Sequence, residues 1–574
     1  MSKKNVAEIL VDTLVGAGVK RIYGLAGDSL NGITDVVRAD DRIKWIHVRH
    51  EETAAFAAGA EAHLTGSLAV CAGSCGPGNL HLINGLYDAN RSRVPVLAIA
   101  SQIPSNEIGS LYFQETHPEI LFRECSHFCE LISQAEQMPR VLEIAIQTAL
   151  TMRGVAVLVL PGDVALREVA GFKPRIQFSA LGATIRPSDQ EITKMASILN
   201  ESHRVTIFGG AGCANAHSEL LELAGKLKAP IVHALRGKEF IEHDNPYDVG
   251  MTGLLGFSSG FRAMMDCDTL LMLGTDFPYQ QFYPEKATIL QVDIRGEQIG
   301  RRTKVDLGVV GDVKTTLGAL LPALDEKTDD LHLSTSVQNF QKARAKFDDL
   351  AVGDADEKSI HPQLVARVIS ELAEVDAIFT CDVGTPTVWA ARYLKMNGQR
   401  RLLGSFSHGS MASALPQAIG AQLVYPDRQV ITLSGDGGLA MLMGDLLSLR
   451  QLNLPVKLVV FSNSALAFVE LEMKAAGMLD FATDLINPDF AKMADAAGVL
   501  GLKVETSEQV RPVLAQAFAH PGPALVEVMV SRHELALPPS VKLDQVEGFS
   551  LFMMKAVIDG RGGEVIDLLK TNLF

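Results

Sequence analysis

Residues 434–463 read SGDGGLAMLMGDLLSLRQLNLPVKLVVFSN and put an acid and an amide at the ends of two apolar runs. QVITL delivers Asp436 with Gly437 and Gly438, and VKLVVF delivers Asn463, 27 residues later. That span fits a strand end, a crossover helix and the next strand end. Both side chains should then emerge at the carboxyl edge of one sheet, where ligands of open α/β folds bind. Asp and Asn are hard oxygen donors. Mg2+ commonly takes one or two such side chains beside phosphate oxygens. The glycines would let backbone N–H groups approach a diphosphate at a helix N-terminus. A plain turn followed by a strand-end cap is the other reading.

A second constellation is RHEETAAFAAGAEA at 49–62. Helix electrostatics alone would favour Glu51 and Glu52 at a helix N-terminus. A carboxyl surrounded by Ala and Phe would also have a raised pKa through desolvation. It could then exchange a proton near neutral pH.

These residues need a scaffold. The chain has 574 residues, 47 % apolar and 21 % charged, which is enough for several domains with ample core. Short apolar runs such as SLAVCAG, GVAVLVLPG, RVTIFGGAG, TLLMLGTD, AIFTCDVG and ALVEVMV alternate with helical patterns. This predicts three doubly wound α/β domains with parallel sheets. Polar stretches at 170–190 and 325–360 read as linkers with some local helix. They divide the chain into domains at 1–182, 183–340 and 341–530, followed by a tail at 531–574. A net charge of −15 with no basic block argues against general nucleic-acid binding. Seven cysteines, an odd number without a leader segment, read as buried free thiols. No apolar run is long enough to span a bilayer, so a cytoplasmic protein is expected.

GDG followed by Asn at this distance resembles the motif of the thiamine diphosphate-dependent enzymes. RHEETAAFAA, GSCGPGN at 73–79, DVGTPTVW at 382–389 and HGSM at 408–411 extend the likeness along the chain. Within that superfamily it most resembles the bacterial flavin-containing pyruvate oxidases that reduce ubiquinone. One departure is Ser462, where many relatives carry a second Asn.

The resemblance implies thiamine diphosphate, Mg2+ and FAD as cofactors. It makes Glu51 the acid that activates the pyrimidine ring, and Gly409, Ser410 and Met411 the cradle that bends the cofactor. Asp436, Asn463 and the Ala465 carbonyl would ligate Mg2+. Gly384, Thr385, Gly437 and Gly438 would contact the diphosphate. Phe113 and Gln114 from one loop, with Phe468 and Glu472 from another, would form the pocket for pyruvate. Plain core is the alternative for both phenylalanines. Glu51 would act on a neighbouring subunit's cofactor, so at least a dimer, and usually a tetramer, is implied.

In the middle domain the flavin-binding members implicate Thr252, Gly253, Leu254, Leu255, Thr275, Asp276, Phe277, Pro278, Tyr279 and Asp293. An acid at a strand end suits ribose hydroxyls. The tail places Val565, Ile566, Leu568, Leu569, Leu573 and Phe574 at helical spacings, with Leu551 to Met554 as a second apolar group. Such a segment could dock on the protein's own core or lie in a membrane interface. The resemblance implies the second: a lipid-binding tail that holds the enzyme to the cytoplasmic face of the inner membrane. The rivals are a phosphate-using pyruvate oxidase that makes acetyl phosphate, and acetohydroxyacid synthase.

Overall fold

The structure is a computed structural model that describes residues 4–169, 183–353, 360–534, 543–559 and 561–573. The linker at 170–182 and the start of the tail at 535–542 lie outside the described residues.

Three six-stranded sheets, each wholly parallel, carry the chain. Across the first, the strands run Lys44–His47, Arg21–Gly24, Ala69–Gly73, Val96–Gln102, Val155–Pro161 and Phe128–Leu131. Across the third they run Arg401–Gly404, Ile378–Cys381, Val430–Gly435, Lys457–Ser462, Ala524–Met529 and Leu500–Val504. Numbered by position in the chain, both sheets read 2-1-3-4-6-5. The middle sheet reads 3-2-1-4-5-6, from Asp248–Met251 through Ile231–His233, Val205–Gly209, Thr269–Leu273 and Thr288–Asp293 to Leu307–Val310. That is the strand order of dinucleotide-binding sheets. The central strands are buried on both faces, as their unbroken apolar runs require. All seven residues of Val96–Gln102 and of Val155–Pro161 are buried.

The alanines after Glu51 have a packing role of their own. Helix Glu51–Thr65 lies against helix Ala414–Val424 of the third domain, and Ala60 and Leu64 share one core with Leu415, Ala418 and Ile419. A Cβ on Gly420 would come within 2.2 Å of the Ala57 carbonyl oxygen, so only glycine permits this approach. The acid's helix and the metal-edge domain are thereby locked together within one chain.

The polar stretch read as a linker at 325–360 contains a 20-residue helix, Leu331–Leu350. Its Phe340 and Phe347 rings stand edge-on to Phe257, at 5.5 and 5.2 Å. The Phe347 carbonyl accepts from Tyr393 Oη at 3.0 Å. The segment is a strut between the middle and third domains. Its two aromatics were too widely spaced among polar residues to announce a buried face.

Two helices, Leu543–Ile558 and Gly562–Leu573, form the described tail. They dock on helix Ala467–Ala475, with Phe552 fully buried beneath the Lys474 ammonium, 5.2 Å from the ring centre. Lys474 also pairs with Glu470 at 2.6 Å and with Glu564 at 2.8 Å. Leu551, Met554, Val557 and Ile558 remain exposed on the outer side of the first tail helix. No helix among the described residues is long and apolar enough to cross a membrane. All seven cysteines are free, six of them buried and Cys129 half-buried.

Candidate active site

The third sheet gathers the residues of the metal edge. Asp436 opens helix Asp436–Leu442 at the end of strand Val430–Gly435. Its Oδ2 accepts from the N–H groups of Asn463 at 3.0 Å and Ser464 at 2.6 Å, and from the Asn487 amide at 2.8 Å. Its Oδ1 accepts from Gly437 N–H at 2.9 Å. One carboxylate therefore ties two adjacent strand ends together. Burial raises its pKa against the pull of those donors. A buried carboxylate held only by neutral donors is a group that a cation stabilises. With the Asn463 amide oxygen and the Ala465 carbonyl close by in the chain, the donor set is all hard oxygen and fits Mg2+.

The surrounding turns leave room for a diphosphate. Gly384 caps helix Thr385–Tyr393 at φ +124°, and a Cβ there would meet nothing nearer than Pro386 Cδ at 3.8 Å. Gly409, at φ +88°, has open space where a Cβ would lie. Met411 reaches across to the GDGG turn, its Cε 3.4 Å from where a Gly437 Cβ would lie. A Cβ on Gly438 would collide with Asp382 Oδ2 at 2.5 Å. Asp382 is buried, accepts from Ala414 N–H at 2.9 Å and is pushed up to about 6 by desolvation.

In the first domain Glu51 is buried at the N-terminus of its helix and meets His81 Nδ1 at 2.9 Å. Gly78 of the GSCGPGN loop passes so close that a Cβ would sit 2.9 Å from Glu51 Oε1. Gln114 lies on the same loop, accepting from Cys75 Sγ at 3.4 Å and covering Gly76. The preceding Phe113 is 78 % exposed, which excludes plain core for it. Phe468 is half-buried against the third domain's core, and Glu472 is exposed one turn further on. Among the described residues no hydrogen bond or ion pair joins Glu51 to Asp436. The link between the domains runs through the neighbouring acid instead. Asn84 Nδ2 donates to Glu52 Oε1 at 2.7 Å and to Ser410 Oγ at 2.9 Å, and Asn84 Oδ1 accepts from His408 Nε2 at 2.8 Å.

The middle domain offers a cradle at its switch point, where strand order reverses between Val205–Gly209 and Thr269–Leu273. There the GGAG turn meets Gly274 glycine on glycine: a Cβ on Gly212 would lie 2.7 Å from Gly274 Cα. Thr252 is buried, and its hydroxyl has no partner among the described residues. Thr275 packs on Gly210, and buried Asp293 is pushed up to about 6 by desolvation. Asp276 accepts from Arg302 Nε at 2.9 Å and faces Arg93 of the first domain at 3.5 Å. Leu255 lends its carbonyl to Arg392 of the third domain at 3.0 Å, and Leu254 and Phe277 join the middle core. Tyr279 is half-exposed, its phenol pKa raised by burial and then by the charge of Glu472. A glycine-on-glycine approach at the switch point of a dinucleotide-type sheet suits the dinucleotide part of FAD.

Sequence reasoning missed His81, Asn84, Asn487 and Arg93. His81 and Asn84 lie one and two turns into a helix whose pattern reads only as amphipathic. Asn487 is 51 residues from Asp436, in a loop with no motif of its own.

Two sheets of one topology, one presenting a buried carboxylate and glycine turns that fit a metal and a diphosphate and the other a buried acid, have the build of a cofactor-dependent enzyme. The comparisons say which kind. Residues 4–121 match the thiamine pyrophosphate enzyme N-terminal TPP binding domain, 192–320 the central domain and 382–528 the C-terminal TPP binding domain. The chain belongs to the thiamine pyrophosphate enzyme family. It is 35 % identical to the protein YdaP of Bacillus subtilis (strain 168) over 100 % of this chain and 99 % of that one. It is 32 % identical to the pyruvate oxidase of Lactiplantibacillus plantarum over 93 % of this chain and 90 % of the oxidase. An uncharacterized 42.6 kDa protein of Pseudomonas amyloderamosa is 61 % identical over 62 % of this chain and 90 % of its own length.

Proposed function

We propose that this thiamine diphosphate enzyme oxidatively decarboxylates pyruvate. Pyruvate, water and ubiquinone would yield acetate, carbon dioxide and ubiquinol. The reading that carries the oxidase, as against a simple decarboxylase, is the middle-domain cradle: the close Gly212–Gly274 approach at the switch point and, on the same sheet's edge, a buried Thr252 hydroxyl with no partner among the described residues. When bound, thiamine diphosphate supplies the electron sink for decarboxylation, and FAD accepts the electron pair. Asp436, Asn463 and Ala465 would anchor Mg2+, and Gly384, Thr385, Gly437 and Gly438 the diphosphate. Gly409, Ser410 and Met411 would hold the pyrimidine while Glu51 supplies and withdraws its proton. Phe113, Gln114, Phe468 and Glu472 would shape the pocket and keep water from the substrate's carboxylate. Glu51 and Asp436 sit on different domains without touching, which supports a site completed by a second copy in a dimer or tetramer.

The tail supports the quinone as acceptor. It is docked through Phe552 on the helix of Phe468 and Glu472 and leaves Leu551, Met554, Val557 and Ile558 outward, a face suited to lipid. This would hold a cytoplasmic enzyme on the inner membrane.

Anaerobic mixing of the FAD-loaded enzyme with pyruvate tests the oxidase. Prompt bleaching of the flavin with acetate as product is expected. Acetyl phosphate would identify the phosphate-using oxidase, acetolactate the synthase, and an unbleached flavin would end the reading. Removal of the last ~20 residues is expected to abolish vesicle binding. Undiminished binding would leave the tail as a docked structural element.

A further inference from the structure

Glu51 is buried, with a side chain only 5 % exposed, yet the role proposed for it requires repeated gain and loss of a proton. A closed carboxyl needs a route to water. Within the single chain His81 is the side chain that leads outward from it: His81 Nδ1 is 2.9 Å from Glu51 Oε2, and the His81 side chain is 42 % exposed there. His81 is stacked on His50, ring centres 4.2 Å apart and planes 25° from parallel. His50 Nδ1 accepts from Glu52 N–H at 3.2 Å, which leaves that nitrogen bare and the His50 ring fixed in place. The stack therefore sets the plane of His81 and aims its Nδ1 at the acid.

We infer that His81 passes protons between solvent and Glu51, as a positioning residue that acts through the carboxyl. The inference rests on the proposed role of Glu51. The transfer balances within the pair. The Glu51 proton moves to His81 Nδ1 while the proton on Nε2 leaves to water, and the reverse sequence reloads the acid. The ionisable groups around the pair are few. Glu51 and Glu52 come from the helix start, with His50 ahead of them. Asp445 of the third domain sits behind, accepting from Arg49 N–H and the Thr53 hydroxyl at 2.9 and 2.7 Å. The Ser74–Gly78 loop brings no charge.

The test is exchange of the thiamine diphosphate C2 proton for deuterium, read by NMR after acid quench, together with cofactor affinity from protein fluorescence. His81→Asn keeps a hydrogen bond to Glu51 but cannot shuttle. It is expected to bind the cofactor within about twofold of wild type while exchanging roughly tenfold more slowly. In His81→Ala, added imidazole should restore exchange in proportion to its concentration. Wild-type exchange in both variants with no response to imidazole, alongside slow exchange in Glu51→Gln, would overturn the shuttle alone. Wild-type exchange in Glu51→Gln would overturn the shuttle and the role of Glu51 together.

Discussion

The Asn84 amide of the first domain donates to the Ser410 hydroxyl of the third at 2.9 Å. The same nitrogen holds Glu52, so one side chain ties the acid's helix to the turn that carries Gly409, Ser410 and Met411. Asn84→Ala leaves Glu52 and Ser410 each short of a donor. Thiamine diphosphate affinity, measured by fluorescence titration, is expected to fall roughly tenfold, the worth of about one hydrogen bond. An unchanged affinity would show that the turn holds its shape without the link.

Asp436 should behave oppositely with and without cofactor. Burial raises its pKa, so its charge is a cost to the empty protein. Asp436→Asn is expected to leave the melting temperature of the cofactor-free protein unchanged or higher. It should also weaken Mg2+-dependent cofactor binding by roughly 100-fold, about the 3 kcal/mol of a charged contact. Calorimetric titration with and without Mg2+ reads both effects. Metal-independent binding in the wild type would remove Asp436 from the role of ligand.

Asp88 makes stability depend on pH. It is buried between the domains, accepts from Ser405 Oγ at 2.8 Å and is pushed up to about 6 by desolvation. An acid whose folded pKa lies above its unfolded value keeps its proton longer in the native state. Its contribution is therefore whole below about pH 4 and is lost as pH rises through about 6. Asp88→Asn is expected to gain stability over wild type between pH 5 and 7, by on the order of 3 kcal/mol. Urea unfolding across that range would show the two curves diverging. Parallel curves would place the proton elsewhere.

Gly420→Ala drives a methyl group into the Ala57 carbonyl, 2.2 Å from the ideal Cβ. Backbone cannot yield as a flexible side chain can, so a loss of about 1–3 kcal/mol is expected. Because the contact joins the domains of Glu51 and Asp436, cofactor affinity should fall with it.

Lys474 holds the tail. Its ammonium is buried between Glu470 and Glu564 and over Phe552. Lys474→Met removes the cation shared by Glu470 and Glu564 and leaves buried Glu470 with Arg532 alone and half-buried Glu564 with Arg561 alone, a costly arrangement. Limited proteolysis should then release the tail at least tenfold faster than in wild type. Equal rates would mean that Phe552 and its apolar neighbours suffice.

Much of this protein was legible in its sequence. Buried parallel strands need unbroken apolar runs, and Val155–Pro161 and Lys457–Ser462 announce themselves that way. Strand-to-crossover spacing placed Asp436 and Asn463 on one edge, because the geometry of a βαβ unit is local. Edge strands such as Lys44–His47 and Leu500–Val504 escaped, since each is short, only one residue of each is fully buried, and neither shows an unbroken apolar run. Only the tertiary structure decided which distant groups meet. Neither the pairing of His81 with Glu51, nor Asn487 beneath Asp436, nor the Lys474 clasp on the tail follows from any spacing. Such contacts depend on how whole helices pack, and packing is set by shape complementarity summed over many residues, not by a motif. The close fit of Gly420 on Ala57 shows how tightly packing fixes the first domain against the third within one chain.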